Sequence, residues 1–130
     1  MKEQLVDKET AVLAKEKGFN EPCWDFIDIN NQEENVISWI GDTFEEKLEL
    51  AIYFVKCYRP TQSLLQKWLR EKHNLHIHIS RLAEGVWNVD IYKLAPIDDI
   101  LMNNPLEFSN NKSFEDALEV GLYQALKLIK

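Results

Sequence analysis

The chain has 130 residues, the size of one ordinary domain, and its 45% hydrophobic and 28% charged residues are typical of a folded protein. A net charge of −7 argues against broad binding to nucleic acids or anionic membranes. The sequence contains no apolar run of signal-peptide or membrane-spanning length, so we expect a cytoplasmic protein with no membrane partner. The cysteines, Cys23 and Cys57, lack CxxC spacing and are expected to be reduced.

The first predicted helix spans about residues 8–17. Asp7 can serve as its N-cap, and Gly18 can take the left-handed conformation that ends a helix. Residues 24–29 are dense in aromatic and β-branched side chains, and an Asn-Asn turn separates them from a second apolar run at residues 36–40. This pattern predicts a first hairpin.

A capping box at residues 43–46 opens another predicted helix, which extends to about Val55. Residues 52–55 alone are also compatible with a strand. Residues 43–53 resemble residues 113–123, because ten of the eleven aligned pairs are identical or similar. The similarity predicts an internal duplication into two α-β-β-α halves. The alternative is convergence, since a capping box followed by an amphipathic helix is a common pattern.

The clearest unit is a helix followed by a hairpin over residues 59–94. Thr61 is the predicted cap of the helix, and Asn74 can end it. The helix has one apolar stripe, formed by Leu64, Leu65, Trp68 and Leu69. Two alternating strands follow around a turn at Gly85, so the predicted hairpin has a dry face and a polar face. The polar residues are His76, His78 and Ser80 on one strand and Asn88, Asp90 and Tyr92 on the other.

Residues 95–112 contain two prolines and four asparagines, which predicts a loop. Ser113 then caps a last helix whose predicted inner face is Phe114, Leu118, Leu122, Ala125 and Ile129. Small residues recur four apart in this helix, at Ala117, Gly121 and Ala125. This spacing indicates close packing against a neighbouring backbone or sheet.

These elements predict an α+β fold in a single domain over residues 1–130. We expect one antiparallel sheet of hairpins, built around residues 75–94 and extended by strands from residues 24–40. Amphipathic helices are expected to cover its dry face, and the duplication would divide the fold into two α-β-β-α halves.

Three side chains are candidate metal ligands: His76, His78 and Asp90. The two histidines share one strand face, and Asp90 lies on the paired strand, which is the arrangement that a His/His/carboxylate site needs. A metal-dependent enzyme is therefore one alternative. The other is that these residues are simply the polar side of a half-exposed hairpin, since the chain has no HExxH helix and no glycine-rich phosphate loop. We expect no cofactor.

Positive charge is concentrated in residues 56–81, which hold six Lys/Arg and one Asp/Glu. A nucleic-acid backbone or an acidic protein could bind there. The candidate binding residues are Arg59, Lys67, Arg70, Lys72 and Arg81. Nucleic acid is the less favoured partner, because the aromatic residue in the segment, Trp68, belongs to the buried stripe and the rest of the chain is acidic.

Three blocks carry a family resemblance. They are residues 14–23 (AKEKGFNEPC), 60–77 (PTQSLLQKWLREKHNLHI) and 113–129 (SFEDALEVGLYQALKLI). The chain resembles small uncharacterised proteins encoded by phages and prophages of Bacteroidota. The resemblance implies a mobile-element context and brings with it no reaction, cofactor or catalytic residue.

The sequence therefore favours a non-enzymatic accessory protein that acts by binding another protein, whose identity the sequence does not give. The contact surface would be the polar hairpin face or the basic helix. Nucleic-acid binding through residues 56–81 is the second hypothesis, and the metal-dependent enzyme is the third. A homodimer through the last helix or an unpaired sheet edge is also compatible with the pattern.

Overall fold

The computed structural model describes residues 4–23, 25–28, 30, 32–35, 55–93 and 106–129. Within these ranges, three helices and six strands are present, and the strands form two three-stranded antiparallel sheets. Helices and antiparallel strands occupy separate parts of the chain order, which defines an α+β fold. The predicted fold class is confirmed.

The helices are α1 (Lys8–Glu16), α2 (Gln62–His73) and α3 (Phe114–Lys127). The strands are β1 (Asp25–Asp28), β2 (Glu33–Asn35), β3 (Val55–Tyr58), β4 (Leu75–Ala83), β5 (Val86–Lys93) and β6 (Leu106–Asn111). The chain divides into an N-terminal unit, Leu5–Pro60, and a C-terminal unit, Thr61–Lys130 together with Met1–Gln4. The assignment of residues 1–130 to a single domain stays a prediction.

In the N-terminal unit, α1 lies within one residue of its predicted bounds. Asp7 stands at the N-cap position, although its side chain makes no capping hydrogen bond. The helix ends where Gly18 takes a φ of +102°, and the N–H of Phe19 then donates to the carbonyl of Ala14 at 2.9 Å. This reversal buries the Phe19 ring in the core of the unit.

The first hairpin turns between Asp28 and Gln32, at the predicted Asn-Asn turn, but its second strand begins earlier than predicted. The Asp28 carboxylate accepts from the backbone N–H groups of Asn30 and Gln32, at 2.8 Å each, and these bonds close a tight turn. As a result β2 begins at Glu33, whereas the predicted strand at residues 36–40 lies outside the described residues. β3 pairs with the other side of β1, so the sheet order is β2-β1-β3.

Two assignments are open for Val55 from its sequence pattern, the end of a helix or a strand, and the helix is wrong. Val55 is the first residue of β3, in which it is paired with Asp28. Val and Tyr favour strands, and the neighbouring strand β1 supplies the backbone partners that a local pattern does not show. The rest of the predicted helix, residues 44–54, lies outside the described residues.

In the C-terminal unit, α2 has the predicted caps. The Thr61 hydroxyl accepts from the N–H of Leu64 at 3.2 Å, and Asn74 ends the helix with a φ of 54°. Its inner side chains Leu65, Trp68 and Leu69 are buried as the apolar stripe predicts. The helix packs against α3 and β4.

The second hairpin has the predicted register. Ile77 lies opposite Ile91, and Ile79 lies opposite Val89, so their side chains share one face of the sheet. α3 packs on that face through Gly121, whose missing side chain lets the helix approach Val89 and Ile77. The stripe of small residues in α3 therefore packs against a sheet, as expected.

Two predictions in the C-terminal segment are wrong. Residues 106–111 are a strand rather than a loop, because β6 pairs with β5 and this pairing outweighs the weak strand preference of its asparagines. Phe114 is 44% exposed rather than part of the inner face. As the first residue of α3 it lies at the end of the helix, and its ring makes an edge-to-face contact with Trp87 at 5.9 Å.

The strands form two sheets, not the one continuous sheet that the sequence predicts. In the N-terminal unit the third strand pairs with the first strand of the hairpin, whereas in the C-terminal unit it pairs with the second. An exact duplication into two α-β-β-α halves would give one strand order in both. The observed orders differ. Of the two similar segments, residues 43–53 lie outside the described residues, and residues 113–123 form the beginning of α3.

Candidate functional site

The candidate site is the polar face of the C-terminal sheet, the side opposite Gly121 and α3. Strand alternation places seven side chains on this face: His76, His78, Ser80, Asn88, Asp90, Tyr92 and Glu107. Cross-strand pairing sets His76 beside Tyr92, His78 beside Asp90 and Asp90 beside Glu107. The predicted division of the hairpin into an apolar and a polar face is thus present, and β6 widens the polar face by one strand.

A buried amide organises the centre of the polar face. Asn88 is only 3% exposed, and its Nδ2 donates to Asp90 Oδ1 and to Glu107 Oε1, at 3.2 Å each. One amide group therefore holds two carboxylates in fixed positions on neighbouring strands. Asn88 Oδ1 is buried and has no hydrogen-bond partner among the described residues, which costs about 1–3 kcal/mol.

The predicted metal ligands come together only in part. His78 Nδ1 lies 3.9 Å from Asp90 Oδ2, and the His78 side chain is 65% exposed. Within the described ranges, no three His, Cys, Asp or Glu side chains are grouped so that they could hold a metal ion. The geometry therefore provides a His78–Asp90 pair, while His76 stands opposite Tyr92.

Arg59 has its charged and hydrogen-bonding partners within the N-terminal unit. It lies in the N-terminal unit, and its side chain is only 17% exposed. Its Nη1 lies 2.9 Å from Glu33 Oε1, and its Nε donates to the carbonyl of Val6 at 2.7 Å. The guanidinium thus links β2 to the segment before α1, and its charge is largely compensated inside the unit.

The other basic candidates are exposed but spread over two elements. Lys67, Arg70 and Lys72 project from α2, and at 100° per residue Lys72 points about 140° away from Lys67. Arg81 lies near the hairpin turn, where its guanidinium stands 5.9 Å from the Trp87 ring. Lys67 and Arg70 therefore form a small basic patch on α2, and binding by the five candidate residues stays a prediction.

Both cysteines are free and buried. Burial raises the pKa of Cys23 to about 12, with Glu21 and Asp25 adding to the effect. Burial also raises the pKa of Cys57, although the ammonium groups of Lys15 and Lys56 act in the opposite direction. Because the thiolate is the reactive form, neither cysteine has the properties of a nucleophile at neutral pH.

Sequence reasoning missed the role of Asn88 and Glu107. Asn88 was read only as one member of a polar strand face, and Glu107 fell within the predicted loop. A signal for β6 exists in the sequence, because Leu106 and Phe108 alternate with Glu107 and Ser109. With β6 recognised as a strand, an acidic residue beside Asp90 becomes predictable.

None of the helices in the described ranges has the length and apolar character of a membrane span. No protein-family model, curated protein or solved structure matches the chain. The function of the protein is therefore inferred from the chemistry of its own side chains.

Proposed function

We propose that this protein is a non-enzymatic accessory protein, derived from a phage or prophage, that binds another protein through the polar face of its C-terminal sheet. The observation that supports this proposal is the buried Asn88 amide, which holds the carboxylates of Asp90 and Glu107 side by side. A rigid pair of acceptors at a partly exposed surface is suited to recognition, because little side-chain entropy is lost on binding.

The chemistry of this face defines the partner. Asp90 and Glu107 accept hydrogen bonds and carry negative charge, so a basic side chain is the complementary group, above all an arginine with its planar set of donors. His76 and Tyr92, both half-buried, add flat ring surface next to the acidic pair. We therefore infer a partner protein that presents an arginine or lysine, flanked by side chains that can pack on the rings of His76 and Tyr92.

We favour binding over catalysis. The two thiols do not provide a nucleophile, because burial raises the pKa of each and keeps it protonated at neutral pH. Partner binding also needs no metal. A stoichiometric transition metal in protein purified without a histidine tag would instead favour the metal-dependent alternative at His76, His78 and Asp90.

Affinity capture from host lysate tests the proposal when three proteins are compared. These are the wild type, the exposed-face variant Glu107→Lys, and the charge-reversal control Lys67→Glu on α2. We expect the wild type and the control to enrich the same protein and Glu107→Lys to lose it by at least about tenfold, because the variant places a cation where a basic side chain would dock.

Two results would contradict the proposal. Loss of capture with Lys67→Glu but not with Glu107→Lys would assign binding to the basic patch of α2. Capture that disappears after nuclease treatment, with an affinity that falls steeply as salt rises, would assign it to nucleic acid. Circular dichroism of each variant verifies that the fold is retained.

A further inference from the structure

A second candidate site lies in the N-terminal unit, where the C-terminal end of α1 meets β3. A cleft of about 320 Å³ opens there. It is lined by Lys15, Phe19, Asn20, Pro22, Val55, Lys56, Cys57 and Tyr58. Its volume is at the lower end of the range of about 300–1,000 Å³ that small-molecule sites occupy. The cleft is therefore large enough for a compact ligand of one ring or a short chain.

The cleft has an apolar floor and a cationic rim. Phe19 and Cys57 are buried and form the floor, and Cys57 behaves as a small apolar group while its thiol is protonated. Lys15 and Lys56 are exposed at the rim. An apolar floor beside two ammonium groups is the lining expected for a ligand that has an apolar body and an anionic end.

The charge of this lining contrasts with that of the whole chain. The chain has 22 acidic and 15 basic residues, whereas the described residues that line the cleft include two lysines and no Asp or Glu. Clefts lined by one sign of charge concentrate ligands of the opposite sign. Among the described residues, the lining of the cleft is thus positive, in contrast to the acidic chain.

Lys15 is held in place at this rim. Its Nζ donates to the backbone carbonyl of Lys56. An ammonium group has three donor protons, so this one bond fixes the group without using its full donor capacity. At the end of α1, the carbonyls of residues 13–15 already accept the N–H groups of Lys17, Gly18 and Phe19.

We propose that this cleft binds a small amphipathic carboxylate, with its apolar body over Phe19 and Cys57 and its carboxylate between the ammonium groups of Lys15 and Lys56. The site is separate from the polar face and does not depend on the function proposed above. The two lysines also lower the pKa of the Cys57 thiol against the larger effect of burial, which means that their charges act on the floor of the cleft.

Three probes of nearly equal shape test the charge preference: benzoate, neutral benzamide and cationic benzamidine. Each is titrated into labelled protein, and the backbone amide signals of Val55–Tyr58 are followed by NMR. We expect benzoate to bind with a Kd on the order of 1 mM, as its size predicts, and at least about tenfold more tightly than benzamidine. Added salt should weaken benzoate binding and leave benzamide binding unchanged.

Variants at the rim locate the site. Lys56→Gln and Lys15→Gln should each weaken benzoate binding about three- to tenfold without changing benzamide binding, and Lys56→Arg should retain it. Glutamine at position 15 can still donate to the Lys56 carbonyl, so this contact is preserved. Lys67→Gln, in the C-terminal unit, is the matched control. The proposal is overturned if the three probes bind equally, if none shifts the β3 signals, or if the control weakens benzoate as much as the rim variants do.

Discussion

A single amide group determines the geometry of the candidate protein-binding face. The two protons of Asn88 Nδ2 point to carboxylates on two strands, so Asn88 acts as a neutral donor between two like charges. Without this donor, Asp90 and Glu107 would repel each other across neighbouring strands. The residue thus contributes to stability and to the arrangement of the site at the same time.

Replacing Asn88 by aspartate converts this donor into a third carboxylate. We expect Asn88→Asp to lower the free energy of unfolding at neutral pH by about 1–3 kcal/mol, because two hydrogen bonds are lost and three negative charges meet. The same repulsion should raise the pKa of the new carboxyl in the folded state. Its protonation as the pH falls should therefore restore part of the loss.

Urea unfolding at neutral and mildly acidic pH measures both effects. The exposed substitution Asn20→Asp, in the N-terminal unit, provides the control, since it adds the same charge outside the buried cluster around Asn88. If Asn88→Asp were as stable as the wild type at neutral pH, the proposed role of the amide would be contradicted.

Because of the buried Cys23 thiol, we expect the stability of the protein to fall in the alkaline pH range. Its pKa is raised from 9.0 to about 12, mainly by burial, so the folded state holds the thiol proton more tightly than the unfolded state does. The stabilisation from this group is complete below pH 9 and is lost as the pH rises toward 12, at up to roughly 1.4 kcal/mol per pH unit.

The comparison that isolates this effect is between the wild type and Cys23→Ala in denaturant unfolding across the alkaline range. Lysines and the other tyrosines titrate in both proteins, so the difference between the two pH slopes belongs to the thiol and to the Tyr58 hydroxyl, whose pKa is raised by burial and by Cys23. We expect the wild type to lose stability more steeply than the variant above pH 9. Parallel curves would show that the thiol proton is not linked to folding.

At the scale of elements, the position of α3 depends on close approach to the sheet. A Cβ atom added at Gly121 would lie 2.7 Å from Val89 Cγ2 and 2.9 Å from Ile77 Cγ2. Both neighbours are β-branched side chains with few alternative rotamers, and Val89 is fully buried. Helix and sheet must therefore separate slightly to accept any larger residue.

We expect Gly121→Ala to destabilise the protein by about 1 kcal/mol. Overpacking in a core costs about 1–3 kcal/mol, and the better helix propensity of alanine returns up to about 1 kcal/mol of this. Thermal unfolding measures the net effect, with the half-buried position Gln124→Ala on the same helix as a control. An increase in stability would mean that the sheet yields to the added methyl group.

Local patterns predicted the elements that depend on local interactions. Helices α1 and α2 and the hairpin of β4 and β5 follow from caps, apolar spacing and the turn at Gly85. Strands β3 and β6 were missed because each is specified by pairing with a strand distant in sequence, β1 and β5 respectively. Sequence periodicity carries little information about such non-local partners.

At the scale of the whole molecule, charge along the sequence is a poor guide to charge on the surface. Residues 56–81 hold six basic residues, yet Arg59 pairs with Glu33 and Lys56 lines a cleft with Lys15. The candidate site was predictable in outline, since the polar hairpin face was expected. Its centre was not, because the contact of Asn88 with Glu107 requires knowledge of the β5–β6 register.

Both sheets have an edge strand whose backbone is contacted by a helix side chain. Lys15 donates to the Lys56 carbonyl on β3, and Gln66 donates to the Ile77 carbonyl on β4 at 3.3 Å. Unpaired edges are the usual starting points of amyloid-like assembly, in which one molecule adds its strand to the next. A strand arriving at either edge must first displace these donors. The two helices therefore hinder such strand addition at one edge of each sheet, at β3 and at β4.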